Sequence, residues 1–327
     1  MKFSSQIVVQ HFNCSSMGTR FDFLTYGLDE DFFSTAKNHI LNELDRIEQK
    51  YSKFDENSEI FKINRSATTE PVTTDDETIA LLILCQEYYL KTKKLFDITV
   101  GKFTNITKVN HYEENCVKAS STEIPKTFRA IDTGADKIVI DIEASTVRFS
   151  NPQLSIDLGG IGKGYALEKI RQYCLTNRIV NALISFGDSS ITTLGTHPHG
   201  EYWPIGIQHT FSPGANIHTF RLTNNSLSTS GNTPNNSMKY GSEGHVLNPL
   251  TGEFQKETKT VSVVSTSPID AEVLSTSLFI ASDNDTAEII SRFNPGEAIE
   301  VFYNQWSDPE VTILNHTISI PSKNHKT

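Results

Sequence analysis

The sequence predicts an α+β fold in a single domain over residues 1–327. Segments of strand length outnumber helical ones, and the helical ones are interspersed without βαβ regularity. No fixed-period repeat and no Pro/Gly/Ser-rich linker marks a boundary between domains. A chain of 327 residues with 37% hydrophobic and 21% charged residues can bury a sizeable core, as a soluble globular protein does.

Residues 6–9 and 20–26 alternate as strands, with Ser15-Ser16-Met17-Gly18-Thr19 in the link. Over 31–50 the apolar residues Ala36, Ile40, Leu44 and Ile47 share one helical face. Residues 51–60 form a turn-rich connection leading to Asn64. Thr74, followed by Asp75, Asp76 and Glu77, caps a helix that runs to about Lys94 and buries Ile79, Leu82, Ile83 and Cys85. Phe96–Gly101 closes that helix into a loop, and residues 102–130 are polar and irregular. Strands are expected at 137–141, 146–150 and 154–157, then a helix from Ala166 through Ile170 and Cys174. Further strands follow at 182–186, 190–195, 203–209, 217–223, 260–265, 298–303 and 311–320, with helices at 270–281 and 285–293. Residues 227–232 read as a loop.

The net charge of −10 excludes general nucleic-acid binding, which needs a basic face, but leaves room for a local pocket for one anion. No stretch approaches the roughly 20 apolar residues of a membrane span, and the N-terminal residues lack a signal peptide's apolar region. Cys14, Cys85, Cys116 and Cys174 lie far apart, so free thiols and a cytoplasmic location are expected.

Chemistry concentrates in Ile156-Asp157-Leu158-Gly159-Gly160-Ile161-Gly162-Lys163-Gly164-Tyr165-Ala166. Glycines admit a close ligand, a helix N-terminus offers unpaired N–H groups, and a lysine adds charge, a combination that suits a phosphate or pyrophosphate. The stretch is neither a Walker A loop nor a dinucleotide fingerprint, and a plain tight turn with a surface lysine reads equally well. Three further clusters are ambiguous alone: Leu227–Asn232, Gly244–Gly252 with His245, and Ala271–Ser277. In the last, Glu272 and Thr276 share a helical face, and with a backbone carbonyl they would suit Mg²⁺. The alternative is an exposed Glu272 and a buried Thr276. His197-Pro198-His199 sits in a turn without further ligands.

In this order, the clusters resemble the ApbE-type FAD:protein FMN transferase family over nearly the whole chain. Met17-Gly18-Thr19 is similar to its opening Met-Gly-Thr, and Ser52-Lys53-Phe54 through Ser58 and Asn64 to its Ser-x-[Phe/Tyr]…Ser…Asn stretch. Phe96–Gly101 resembles Phe-Asp-x-Thr-Val-Gly, and Asp157–Gly164 resembles Asp-Leu-Gly-Gly-Ile-Ala-Lys-Gly with Gly162 in place of alanine. Ser228–Gly231, His245–Gly252 and Ala271–Thr276 match its Thr-Ser-Gly, His-x-x-Asp-Pro-x-Thr-Gly and Ala-Asp-Ala-Leu-[Ser/Ala]-Thr segments. Glu272 and Asn248 stand where the family has aspartates. Asp270 lies roughly 200° around the helix from Glu272 and is not expected to substitute for it.

The resemblance implies an α+β flavin transferase that cleaves FAD and passes FMN to a threonine or serine hydroxyl of an acceptor flavoprotein, releasing AMP. It implies FAD contacts from Met17, Phe54, Phe96, Asp97, Ile98, Asp157, Lys163 and Val246. Mg²⁺ would be held by the Gly160 carbonyl, Glu272 and Thr276, with His245 as a base near the pyrophosphate. Two other readings keep the site: an FAD pyrophosphatase using water, and a catalytically weak FAD-binding protein.

Overall fold

The computed structural model describes residues 7–103, 132–187, 189–209, 214–233, 246–303 and 308–315. Strands β1 (Val9–Ser16) and β2 (Thr19–Tyr26) form a hairpin in register from Val9↔Tyr26 to Ser16↔Thr19. Its tip is Met17-Gly18 with φ of 50° and 74°, the left-handed pair that suits a two-residue hairpin. β1 therefore extends well beyond the alternation visible at 6–9, because its outer face carries polar Asn13 and Ser15 at a sheet edge.

Helix α1 (Glu30–Tyr51) starts at Asp29, whose carboxylate accepts the Phe32 N–H, and buries the expected Ala36, Ile40, Leu44 and Ile47. From the end of the turn-rich stretch, and through Asn64, runs a short helix that was not expected, α2 (Glu59–Ser66). Ser58 caps it at 2.9 Å, and Ile60 and Ile63 anchor it. After β3 (Val72–Thr73), helix α3 (Asp76–Lys91) is capped by Asp75 rather than Thr74. It stops at Lys91, short of Lys94, because Lys93 and Lys94 turn left-handed.

There follow β4 (Ile138–Asp141), β5 (Thr146–Phe149), α4 (Gly162–Thr176), β6 (Ala182–Phe186) and β7 (Ser190–Leu194). Next come β8 (Trp203–Gln208), β9 (Asn216–Leu222), β10 (Ser226–Gly231) and β11 (Lys259–Ser265). Helices α5 (Pro268–Ile280) and α6 (Asp283–Phe293) precede β12 (Glu297–Phe302) and β13 (Glu310–Ile313). β10 replaces the loop expected at 227–232. Its alternation is masked in sequence because the residues facing the helices are serines. The expected irregular stretch falls almost wholly outside the described residues, as do Cys116 and the later part of the last strand.

An antiparallel sheet in the order β1-β2-β6-β7-β10-β11-β12-β13 organises the molecule, beside smaller sheets β3-β5-β4 and β8-β9. The α+β expectation is met. Phe21, Phe23, Ile184 and Phe186 pack against α1 and α4 through Leu44, Ile47, Ala166 and Ile170. Farther along the sheet, Val261, Val263 and Ala298 meet Leu274, Leu278 and Ile289 of α5 and α6. On the opposite face Leu227, Val264, Ile299 and Val301 meet Trp203 and Phe220 of the β8-β9 pair. β11 is covered on both faces and is buried along its length. Each fully buried valine there contributes roughly 1.5–3 kcal/mol.

Where α1, α3 and α4 meet, Glu77 bonds Arg46 at 2.7 Å, Lys50 at 3.0 Å, Tyr165 at 2.7 Å and Lys169 at 2.8 Å. The Arg46 guanidinium leads these groups, which together outweigh burial and hold the Glu77 carboxyl well below the usual carboxylate range. A lowered folded-state pKa contributes stability that is full above the unfolded value, about 4.3, and is lost as pH falls below it. Glu77→Gln is thus expected to lower the thermal midpoint at pH 7, with the gap to wild type closing on acidification towards pH ~3. A gap that widens on acidification would contradict this.

Candidate functional site

The glycine stretch passes into α4 at Gly162, and the N-cap position, Ile161, has no side chain able to accept a hydrogen bond. The acceptor comes from α5: one Glu272 carboxylate oxygen takes the Gly164 N–H, and the other lies 2.5 Å from the Lys163 ammonium. A carboxylate at a helix N-terminus satisfies an otherwise orphan donor and complements the helix dipole. Glu272 is only 3% exposed, so this pair is screened little by solvent. The alternative of an exposed Glu272 and a buried Thr276 does not hold, since Glu272 is buried and Thr276 is half-buried.

The close fit requires Gly164. A Cβ there would lie 2.7 Å from the Pro268 carbonyl oxygen, 2.8 Å from Glu272 Oε2 and 3.0 Å from Ile269 Cα. Two residues earlier, a Cβ on Gly162 would meet nothing within 4 Å. α5 itself begins at Ser267, which accepts the Asp270 N–H, with Pro268 at the first helical position. Asp270 turns away from Glu272 and accepts the Tyr88 hydroxyl at 2.6 Å, in line with its helical angle.

Thr276 is oriented by β10. Its hydroxyl lies 3.1 Å from Ser230 Oγ, which lies 2.9 Å from Ser275 Oγ, itself 3.1 Å from Ser228 Oγ. Ser228 and Ser230 share a strand face by the period of two, and that signal was available once 226–231 is seen as a strand. The hydroxyl network was not apparent from the sequence.

The other predicted segments close around the turn. The Asp157 N–H donates to the Ile98 carbonyl at 2.7 Å, and Gly101 N–H donates to Ser155 at 2.8 Å. The Asn64 amide brackets the intervening Ile156, accepting its N–H at 2.6 Å and donating to its carbonyl at 2.9 Å. Phe96, 4% exposed, abuts Gly160, and Phe96 and Ile98 both belong to the main core. Asp97 accepts the Thr99 N–H and hydroxyl at 2.8 and 2.7 Å, and burial pushes its carboxyl up from the ordinary value. Phe54 is the exposed aromatic, at 61%. It adjoins the turn through Lys53, whose ammonium lies 2.7 Å from Asp157.

Val246 is half-buried against the α5 core and leads a hairpin, with its carbonyl accepting the Gln255 N–H at 2.9 Å. Asn248 accepts the Leu250 N–H at 2.9 Å, so its amide oxygen performs the turn-closing task open to an aspartate. Asn232, 5% exposed, joins this hairpin to β10 by donating to the Gln255 and Glu257 carbonyls at 2.7 and 3.2 Å. Met17 lies at the β1–β2 tip, where its N–H donates to Glu48 of α1 at 2.9 Å. His245 lies outside the described residues. Lys163, Glu272, Gly160, Asp157, Phe96–Ile98 and Phe54 thus gather about one turn, with Thr276 one helical turn along α5.

Comparison with known proteins bears on the family and the fold. A model of the ApbE family matches residues 17–300. The FAD:protein FMN transferase of Chlamydia muridarum is 28% identical over 251 residues, 74% of this chain and 75% of that protein. Among solved structures, a flavin transferase ApbE from Vibrio cholerae shares the fold with a TM-score of 0.78 at 20% identity, over 94% of this chain and 97% of its own. An ApbE protein from Thermotoga maritima gives 0.78 at 24% identity, over 93% and 96%.

Proposed function

Since this chain belongs to the ApbE family, we propose that it is an FAD:protein FMN transferase. A threonine or serine hydroxyl of an acceptor flavoprotein attacks the FMN-side phosphorus of FAD. The bond from that phosphorus to the bridging oxygen breaks, AMP leaves with the oxygen, and the hydroxyl proton passes to a base. The product is a phosphodiester between FMN and the acceptor. Phosphoryl transfer of this kind depends on positioning and on neutralising oxygen charge rather than on a covalent enzyme intermediate.

The observation that carries the reading is the convergence of the Lys163 ammonium and the α4 N-terminus beside the Gly159-Gly160 turn. In the substrate complex the Lys163 ammonium, which Glu272 now holds, and the α4 N-terminus would stabilise the developing charge on the pyrophosphate oxygens. Around it, Phe54, Phe96, Asp97, Ile98 and Asp157 would form the flavin-nucleotide wall, supported by the contacts among their segments. Met17 and Val246 would extend that wall, and His245 would act as the base; these three assignments rest on their places in the motifs.

The Gly160 carbonyl, Glu272 and Thr276 are hard oxygen donors of the kind Mg²⁺ takes, so the donor chemistry fits, and the ion would compete with the Lys163 ammonium for the Glu272 carboxylate. Among the described residues no group of three or more His, Cys, Asp or Glu side chains is arranged to hold a metal. The ion would therefore rest on one carboxylate, neutral oxygens and substrate phosphate, a common arrangement for Mg²⁺. When bound it would add Lewis-acid charge neutralisation at the pyrophosphate.

We take residues 1–327 as one domain, an inference supported by a core that joins elements from Phe12 to Val273. The free thiols of Cys14, Cys85 and Cys174 support a reducing compartment. No helix among the described residues is long and apolar enough to cross a membrane. With FAD and Mg²⁺, release of AMP is expected to require an acceptor protein and to match its flavin labelling. Equal AMP release without any acceptor would make water the nucleophile and overturn the transferase reading.

A further inference from the structure

The Lys53–Asp157 pair lies at the foot of the glycine turn. Lys53 follows Ser52, the C-cap residue of α1, in a loop held tightly by its own hydrogen bonds. Ser52 Oγ accepts the Phe54 and Asp55 N–H groups at 3.2 Å each, and Ser58 Oγ donates to the Ser52 carbonyl. The lysine side chain is only 6% exposed and its ammonium lies 2.7 Å from Asp157 Oδ2. The other Asp157 oxygen takes the Gly159 N–H at 2.9 Å. Burying a lysine is costly unless an opposite charge meets it, so the pair stands or falls together.

Two features distinguish this pair from an ordinary structural ion pair. The Lys53 ammonium lies 5.1 Å from the centroid of the Phe54 ring, and that ring is 61% exposed, so the pair borders an open surface. Asp157 is also the residue from which the glycine turn departs, so an unpaired carboxylate there would face whatever anion the turn accepts. The chain as a whole carries a net charge of −10, which leaves local neutralisation to individual lysines.

We propose that Lys53 is a positioning residue of the FAD site, acting through Asp157: it cancels that carboxylate's charge so that the pyrophosphate can approach the glycine turn. The proposal rests on the flavin-transferase reading. It assigns the turn two lysines with different tasks. Lys163 meets the α4 N-terminus and Glu272, whereas Lys53 neutralises the opposite end of the turn and makes no demand on the reacting atoms.

Flavin-fluorescence titration with FAD and with riboflavin tests this, using wild type, Lys53→Met, Lys53→Arg, Asp157→Asn and the double variant Lys53→Met/Asp157→Asn. All are measured below their thermal midpoints. Lys53→Met is expected to weaken FAD binding by about tenfold or more, and riboflavin, which lacks phosphates, by less than about threefold. Lys53→Arg should retain most of the affinity, and the double variant, which removes both charges, should bind FAD more tightly than Lys53→Met. Equal losses for both ligands, an unchanged Lys53→Met, or a double variant as weak as Lys53→Met would overturn the proposal. Failure of the wild type to bind FAD at all would instead overturn the proposed function, and this inference with it.

Discussion

Lys163→Met is expected to slow FMN transfer by on the order of 10²–10³-fold, the range seen when one preorganised donor to a developing anion is removed. The lysine is placed with little freedom. It follows Gly162 in the first turn of α4, and its ammonium is held 2.5 Å from a carboxylate that is itself 3% exposed. Methionine keeps the length and packing of the stem and removes only the charge. The substitution also leaves Glu272 with the Gly164 N–H and no cation, so a divalent ion should bind more tightly to the variant than to wild type. Manganese titration followed by electron paramagnetic resonance reads the affinity, and AMP release reads the rate. A rate within about threefold of wild type would remove Lys163 from the chemistry. Folding is checked by the thermal midpoint, because a buried carboxylate deprived of its partner also costs stability.

The second large effect is structural and falls on Gly164. Its Cβ position is crowded by the Pro268 carbonyl, Ile269 Cα and Glu272 Oε2, at 2.7, 3.0 and 2.8 Å. Two of these are backbone atoms of α5 and cannot rotate aside. Gly164→Ala is therefore expected to cost about 1–3 kcal/mol, the usual range for overpacking. It should also push α4 from α5, breaking the Gly164–Glu272 bond and with it the alignment of Lys163. Gly162→Ala provides the contrast, since its Cβ would enter open space within the helix. That variant should be as stable as wild type or slightly more so, by up to about 1 kcal/mol from helix propensity. Denaturant melts of the pair check the prediction, and equal stabilities would contradict the close α4–α5 approach.

Much of this arrangement was legible in the sequence where one face of an element meets the core. The spacing of Ala36, Ile40, Leu44 and Ile47 marks α1, and the apolar stretch from 270 to 281 marks α5, which starts two residues earlier at Pro268. α2 was hidden because it is only eight residues long and only Ile60 and Ile63 are fully buried in it. β10 was hidden because its helix-facing side carries Ser228 and Ser230, whose partners are hydroxyls of α5 rather than apolar groups. The site segments could be recognised from their order along the chain, but the ties between them could not. Nothing local in Glu272 announces that it meets Lys163 and the Gly164 N–H together, or in Lys53 that it meets Asp157. The same contacts give the two departures from the family motifs a physical role. Asn248 closes its turn through an amide oxygen, and Glu272 caps a helix that has no cap of its own.

Intact-mass analysis of an acceptor flavoprotein, after incubation with this protein, FAD and Mg²⁺, tests the central claim most directly. The expected result is a gain equal to one FMN less one water, located by peptide mapping to a threonine or serine and absent from the Lys163→Met reaction. An acceptor of unchanged mass, recovered alongside stoichiometric free FMN and AMP, would contradict the assignment.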